Sequence, residues 1–173
     1  MLLRLFNIVA TAIQPAYEQM PRHFAGKEAT LMLLAIGLQE SRFEHRRQVG
    51  GGPARGYWQF ELGSAASRGG VWGVYLHRAT HEDLRLLCRA RDCNFDPAPI
   101  YRAIETDDVL AAGVARLLLF TDPKPLPAMG EAAKAWDYYL RNWRPGKPHR
   151  KSWAGLYAAA VEHVAAPHGY TSR

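Results

Sequence analysis

Apolar residues recur along most of the chain at helical spacing, and no segment shows the two-residue alternation of a half-buried strand. The pattern predicts a first amphipathic helix over about Leu2 to Glu18, closed by Pro21, and a second from about Lys27 to Phe43. The centre of the second, Leu31 to Leu38, is apolar on every face, which assigns it to the middle of the core. Gly50-Gly51-Gly52-Pro53 breaks the pattern, and Tyr57-Trp58-Gln59-Phe60 follows as a short strand or an extended loop. Thr80 reads as the cap of a helix leading into Leu84 to Arg91. Pro97 suits the first turn before a helix over Ile100 to Glu105. Thr106-Asp107-Asp108 cap an apolar helix from Val109 to Phe120, and Pro123, Pro125 and Pro127 force an extended connection. Helices over about Glu131 to Trp143 and Trp153 to Ala165 complete the chain, separated by Arg144-Pro145-Gly146-Lys147-Pro148.

There is no internal repeat, low-complexity tract or long linker. The expectation is therefore a mainly α fold, one domain over residues 1–173, with at most a small β ribbon near residues 45–60. A chain of 173 residues can bury a sizeable core without a metal or a disulfide framework.

Charge adds a preference without a choice. The net charge of +6 and a pI near 9.5 suit a polyanionic partner: nucleic acid, an anionic membrane or a bacterial cell wall. No stretch offers the ~20 uninterrupted apolar residues of a membrane span. The apolar start, Met1 to Ala10, is short and broken by Arg4 and Asn7, so it reads as an amphipathic helix and no clear signal peptide. Cys88 and Cys93 match no zinc pattern; they either close a small disulfide loop or remain as buried thiols. No metal or cofactor is expected. From Arg141 to Lys151 the chain is basic and carries no acid, with Trp143 and Trp153 at its flanks. That stretch is a solvated face, a grip on an anionic glycan or a virion partner, or a binder of single strands; no nucleic-acid motif accompanies it.

Glu40 is the most informative residue. It follows the apolar run of the second helix, where a carboxyl is partly desolvated and its pKa rises. A proton held near neutral pH is what a general acid needs, although an ion pair with a nearby Arg is the plainer reading of position alone. Glu40-Ser41 is followed, after the Gly-rich break, by Gly56-Tyr57-Trp58-Gln59-Phe60. In these residues the chain resembles the soluble-lytic-transglycosylase-like branch of the lysozyme superfamily. That branch has a Glu-Ser pair ending a core helix, then a Gly-x-x-Gln motif, and later an Ala-x-x-Tyr-Asn-like element. Glu40 and Ser41 match the first element, and Gly56 and Gln59 the second, with Tyr57 and Trp58 in place of the usual aliphatic pair. Trp58 followed by Gln59-Phe60-Glu61 is most like bacteriophage members. The third element falls in Ala133 to Tyr139. It makes Tyr139 the tyrosine that supports Glu40, with Tyr138 as the alternative; no Asn follows directly, and Asn142 is the nearest. The similarity covers about residues 27–145.

The resemblance implies a lysozyme-like fold and a lytic transglycosylase that cuts the MurNAc–GlcNAc bond of peptidoglycan. It implies one catalytic Glu and an endolysin or virion-associated setting, at the cell wall or periplasm. A hydrolase on the same fold would need a second carboxylate. Glu44, four residues after Glu40 at helical spacing, and Glu61 are its candidates; each is otherwise a surface or rim residue. A structural virion protein that retains the fold is the third reading. Ser41 orients Glu40 or a substrate group, or else bonds the local backbone. Gln59 suits an N-acetyl group or a sugar hydroxyl, and Gly56 allows close backbone approach. Tyr57 is expected nearer the ligand and Trp58 partly in the core. Gly69 to Gly73 is either a further wall of the cleft or a plain turn.

Overall fold

The segment with the most continuous apolar character is also the most enclosed. In the computed structural model, which describes residues 1–166, helix α3 (Lys27–Ser41) is buried at every residue from Ala29 to Leu38. Such a helix has no solvent face, so its neighbours must surround it. Its principal partner is α9 (Arg150–Ala165), and α7 (Asp108–Phe120) also packs against it. The α7 helix is nearly as apolar: every residue from Leu110 to Leu119 is buried, Arg116 included. Around this pair stand α1 (Leu2–Ile8), α2 (Gln14–Glu18), α4 (Gly70–Leu76), α5 (His81–Ala90), α6 (Pro97–Ala103) and α8 (Ala132–Trp143). One apolar cluster runs from Leu5 to Val164. No helix among the described residues is long and apolar enough to cross a membrane.

The expected first helix is present, but it is not uniform. Between α1 and α2 the backbone widens into a π-helical turn over Val9–Ile13. Pro15 gives the reason: it has no N–H, so the carbonyl four residues back at Thr11 loses its normal donor, and the wider turn absorbs the defect.

Two helix starts follow the capping rule. Asp107 accepts from the Leu110 N–H at 2.9 Å, and Asp96 accepts from the Ala98 N–H at 3.2 Å, ahead of Pro97. Thr80 stands before α5, but its hydroxyl donates to the Val74 carbonyl at 2.8 Å, so it ties α4 to α5 and does not cap. The α9 helix begins at Arg150, earlier than the apolar pattern from Trp153 indicates.

Two boundaries differ from the sequence reading. Helix α3 ends at Ser41, because Arg42 (φ 57°) and Phe43 (φ 54°) both adopt the left-handed conformation. The stretch Gly69 to Gly73 is no turn: from Gly70 it is the start of α4. Gly70 has φ +58°, and a Cβ there would lie 2.1 Å from the Glu61 carbonyl oxygen, so glycine permits a close backbone crossing. The β content comes down to two isolated antiparallel bridges, Arg47 with Arg55 and Arg55 with Phe60. Cys88 is buried and Cys93 half-buried, both as free thiols, and burial pushes the Cys88 thiol up to about 12. A thiol so rarely ionised is a poor nucleophile.

Gly37 marks where the end of α3 meets the following loop. A Cβ on Gly37 would fall 2.2 Å from the Phe43 ring, which is held edge-on between Tyr57 and Trp58 at 5.7 Å each. Gly37→Ala should therefore lose about 1–2 kcal/mol despite its better helix propensity. A lower urea midpoint at unchanged m-value is the expected reading.

Candidate active site

Glu40 is carried by the last turn of α3, one residue before the helix ends. Its carboxyl is the most perturbed acid among the described residues. Burial raises its pKa from 4.5 to about 7, against a hydrogen bond that pulls the other way. That bond comes from the Tyr139 hydroxyl, which donates to Oε1 at 2.6 Å across 99 residues of sequence. Tyr139, and not Tyr138, is thus the tyrosine on Glu40; the Tyr138 hydroxyl donates to the Leu119 carbonyl at 2.7 Å. Burial and the adjacent Glu40 charge push the Tyr139 hydroxyl well above the ordinary phenol range, so it remains a donor.

An aromatic stack fixes Tyr139. Trp136, Tyr139 and Trp143 recur on one face of α8, and the Tyr139 ring lies parallel to Trp153 of α9 at 5.3 Å and 14°. Trp153 is 1% exposed and donates to the Ala132 carbonyl. Trp153 is therefore a buried support of the site's tyrosine, and Trp143 packs half-buried beside it. Gln39 adds a polar tie at the same end of α3: it donates to the His149 carbonyl and accepts from the Ser152 hydroxyl. The sequence reading missed the Trp143, Trp153 and Gln39 contacts. The i, i+3, i+7 aromatic spacing on α8 was the signal for the first.

The Gly-x-x-Gln loop is fastened directly to this helix end. Ser41, 5% exposed, donates to the Tyr57 carbonyl at 2.6 Å and accepts from the Phe43 N–H at 3.1 Å. A hydroxyl so engaged ties the helix end to the loop, and it also reaches the Gly37 carbonyl at 3.3 Å, the local backbone bond expected as the alternative to a role toward Glu40 or a substrate group. Trp58 is wholly in the core rather than partly so, and its Nε1 donates to the Leu33 carbonyl of α3 at 2.9 Å. Its own carbonyl accepts from Trp143 Nε1 at 2.9 Å. Gly56 has φ +71°, and a Cβ there would lie 2.5 Å from the Ile104 carbonyl oxygen; the close approach that needs glycine is to α6's C-terminal end. Gln59 is left-handed (φ 49°), half-buried, and its Nε2 closes the turn onto the Gly56 carbonyl at 2.9 Å. Tyr57 is half-buried beneath the Arg46 guanidinium, 4.3 Å from its ring centre.

The basic residues after Glu40 have partners. Arg46 makes a two-pronged pair with Asp108 at 3.0 and 2.7 Å, and Arg47 and Arg55 both meet Glu105. These pairs latch the loop onto the start of α7. Glu44 does not share a helix face with Glu40, because the helix has already ended; it pairs with Arg4 at 2.5 Å, and that contact lowers its pKa. Glu61 is exposed, and its backbone carbonyl receives the Val71 N–H. Among the described residues no group of three or more His, Cys, Asp or Glu is arranged to hold a metal.

Comparison with known proteins adds no relative to this geometry. No family model, no curated protein and no solved structure matches the chain. The site is read from its own residues.

Two outcomes follow from the Glu40–Tyr139 pair. A carboxyl whose folded pKa lies above its unfolded value contributes stability that is complete below pH 4.5 and is lost as pH rises through about 7. Glu40→Gln should therefore unfold later than the wild type at alkaline pH, by on the order of 2 kcal/mol after allowance for its partial exposure. The gap should close in acid, as measured by denaturant titration across pH. Tyr139→Phe removes a bond that favours the carboxylate, so the Glu40 titration followed by carbon-13 NMR should move to higher pH.

Proposed function

We propose that this chain is a peptidoglycan lytic transglycosylase in which Glu40 serves first as acid and then as base. The observation that carries the reading is a single half-buried carboxyl with a pKa near 7, oriented by Tyr139 at the end of a buried helix. The Glu40-Ser41 and Gly56-x-x-Gln59 elements support it, since one hydrogen bond joins Ser41 to the loop between Gly56 and Gln59.

In this reaction the neutral Glu40 gives its proton to the bridging oxygen as the bond from that oxygen to the muramyl C1 breaks. Positive charge develops at C1. The resulting Glu40 carboxylate then takes the proton of the sugar's own C6 hydroxyl, and O6 closes onto C1 as a 1,6-anhydro ring. Glu40 ends protonated, as it began, and no water is consumed. The Tyr139 hydroxyl bonds Oε1 throughout and steadies the charge between the two transfers. Its donor also keeps the carboxyl from being so basic that it would fail to release its proton. The net charge of +6 favours approach to an anionic wall polymer. The setting that fits is a phage endolysin or a virion-associated lysin acting at the cell wall, the latter with virion proteins as partners.

Digestion of purified peptidoglycan, read by mass spectrometry of the products, tests this. Wild type should release anhydro-muramyl ends, and Glu40→Gln should lower the rate by about a hundredfold or more. The rate should fall as pH rises above about 7, where the acid form disappears. Reducing muramyl ends would make the enzyme a hydrolase, and no cleavage at all would favour the structural virion protein.

A further inference from the structure

The end of α5 sets two thiols side by side. The helix closes in a turn where Asp92 is left-handed (φ 49°), the Asp92 N–H donates to the Arg89 carbonyl at 3.3 Å, and the Cys93 N–H reaches back to the Cys88 carbonyl at 2.9 Å. This pair of bonds is a Schellman motif, which brings the side chains of its first and last residues into contact. Here both of those residues are cysteine, and the chain has no other.

The contact is direct. The Cys88 thiol donates to Cys93 Sγ, and the Cys93 thiol donates to the Asn94 carbonyl at 3.6 Å. Two cysteines can be bridged when their Cα atoms lie within about 7 Å. A backbone bond of 2.9 Å between the same two residues keeps them inside that limit. Cys88 is enclosed in the core, whereas Cys93 is half-buried and reaches solvent. The turn they close also carries load for the Glu40 region. Arg91 at its centre pairs with Asp107 at 2.9 Å, Asp107 caps α7, and Asp108 beside it holds Arg46 on the loop.

We infer that Cys88 and Cys93 are a site of oxidative modification, at which a small-molecule disulfide joins them into an intramolecular disulfide across the native turn. Cys93, the accessible partner, attacks one sulfur of the reagent as its thiolate; the reagent's S–S bond breaks and one thiol leaves. Cys88 then gives its proton to solvent base and attacks Cys93 Sγ, and the second thiol leaves. Two protein thiols are oxidised, and one small disulfide is reduced to two thiols. Burial raises the Cys93 thiol against the lowering bond from Cys88, with Asp107 of α7 adding to the rise and Arg102 of α6 opposing it. Burial holds Cys88 at about 12. The reaction is therefore slow at neutral pH and accelerates in base.

Incubation of the folded full chain with oxidised glutathione at about pH 8, followed by denaturation in iodoacetamide and mass spectrometry, tests the site. The protein should lose about 2 Da and take up no iodoacetamide. Arg89 and Arg91 lie between the cysteines, so trypsin should release the peptides over 86–89 and 92–102 still joined, to be parted by reduction. Cys88→Ala should instead retain one glutathione on Cys93. Cys93→Ala should retain none, because buried Cys88 does not meet the reagent in the folded chain. Since the bond spans a turn already in place, the oxidised chain should show a higher urea midpoint than the reduced one. A wild type that is alkylated at both thiols, stops at the Cys93 glutathione adduct, or links two chains through these cysteines overturns the site. A lower urea midpoint after oxidation does so too, since the bond would then distort the turn. Peptidoglycan cleavage plays no part in these readings, so the role of Glu40 stands or falls separately.

Discussion

A carboxyl group carried to the end of a helix with no solvent face is the constraint on which the rest of the site depends. The apolar run of α3 is buried by α7 and α9, and the same burial removes water from around Glu40. Desolvation alone would hold the carboxyl neutral but leave it free to turn. The Tyr139 hydroxyl fixes one oxygen, and Tyr139 is in turn fixed by Trp153 and its neighbours on α8. Two opposing effects therefore set the group near neutrality: burial, which is the larger, and one charge-stabilising hydrogen bond.

The loop that follows contributes order rather than charge. Three side chains fasten it within a few residues: Ser41 to the Tyr57 carbonyl, Trp143 to the Trp58 carbonyl, and Trp58 to the Leu33 carbonyl. The Arg46–Asp108 and Arg47–Glu105 pairs hold its outer side. Surface ion pairs are individually weak, but here they restrain a segment whose backbone is already committed by left-handed residues at both ends. Pre-organised elements of this kind lose little order when a ligand arrives.

Much of this was legible in the sequence, and the exceptions share causes. The helix order and the all-round burial of Leu31 to Leu38 follow from periodicity and from Pro and Gly, and the Glu40–Tyr139 partnership from the resemblance of Ala133 to Tyr139 to the Ala-x-x-Tyr-Asn-like element. The helix over Gly70–Leu76 was not legible, because Gly70 answers to a backbone crossing with Glu61 that local pattern does not record. The end of α3 was placed two residues late because Arg42 and Phe43 carry no glycine to announce their left-handed turn. The local bond of Ser41 to the Gly37 carbonyl was among the alternatives the sequence left open, whereas its bond to the Tyr57 carbonyl, 16 residues on, appears only in the fold. Arg116 had no sequence signal at all: a lone Arg in an apolar helix reads as an exception until its neighbours are known.

The wide turn over Val9–Ile13 bears on the N-terminal segment as a matter of phase. A π turn accommodates one residue more than the regular spiral, so the segments before and after it are offset by about 100° around the common axis. Ile8 and Ile13, five residues apart and about 140° around a regular helix, come to within about 40° of each other through that offset, and both are buried in the same core. The turn acts as a rotational adjuster between the segments on either side of it. A chain one residue shorter in this turn would keep Ile8 and Ile13 aligned with no wide turn, so a change of length by one residue here can be silent for packing.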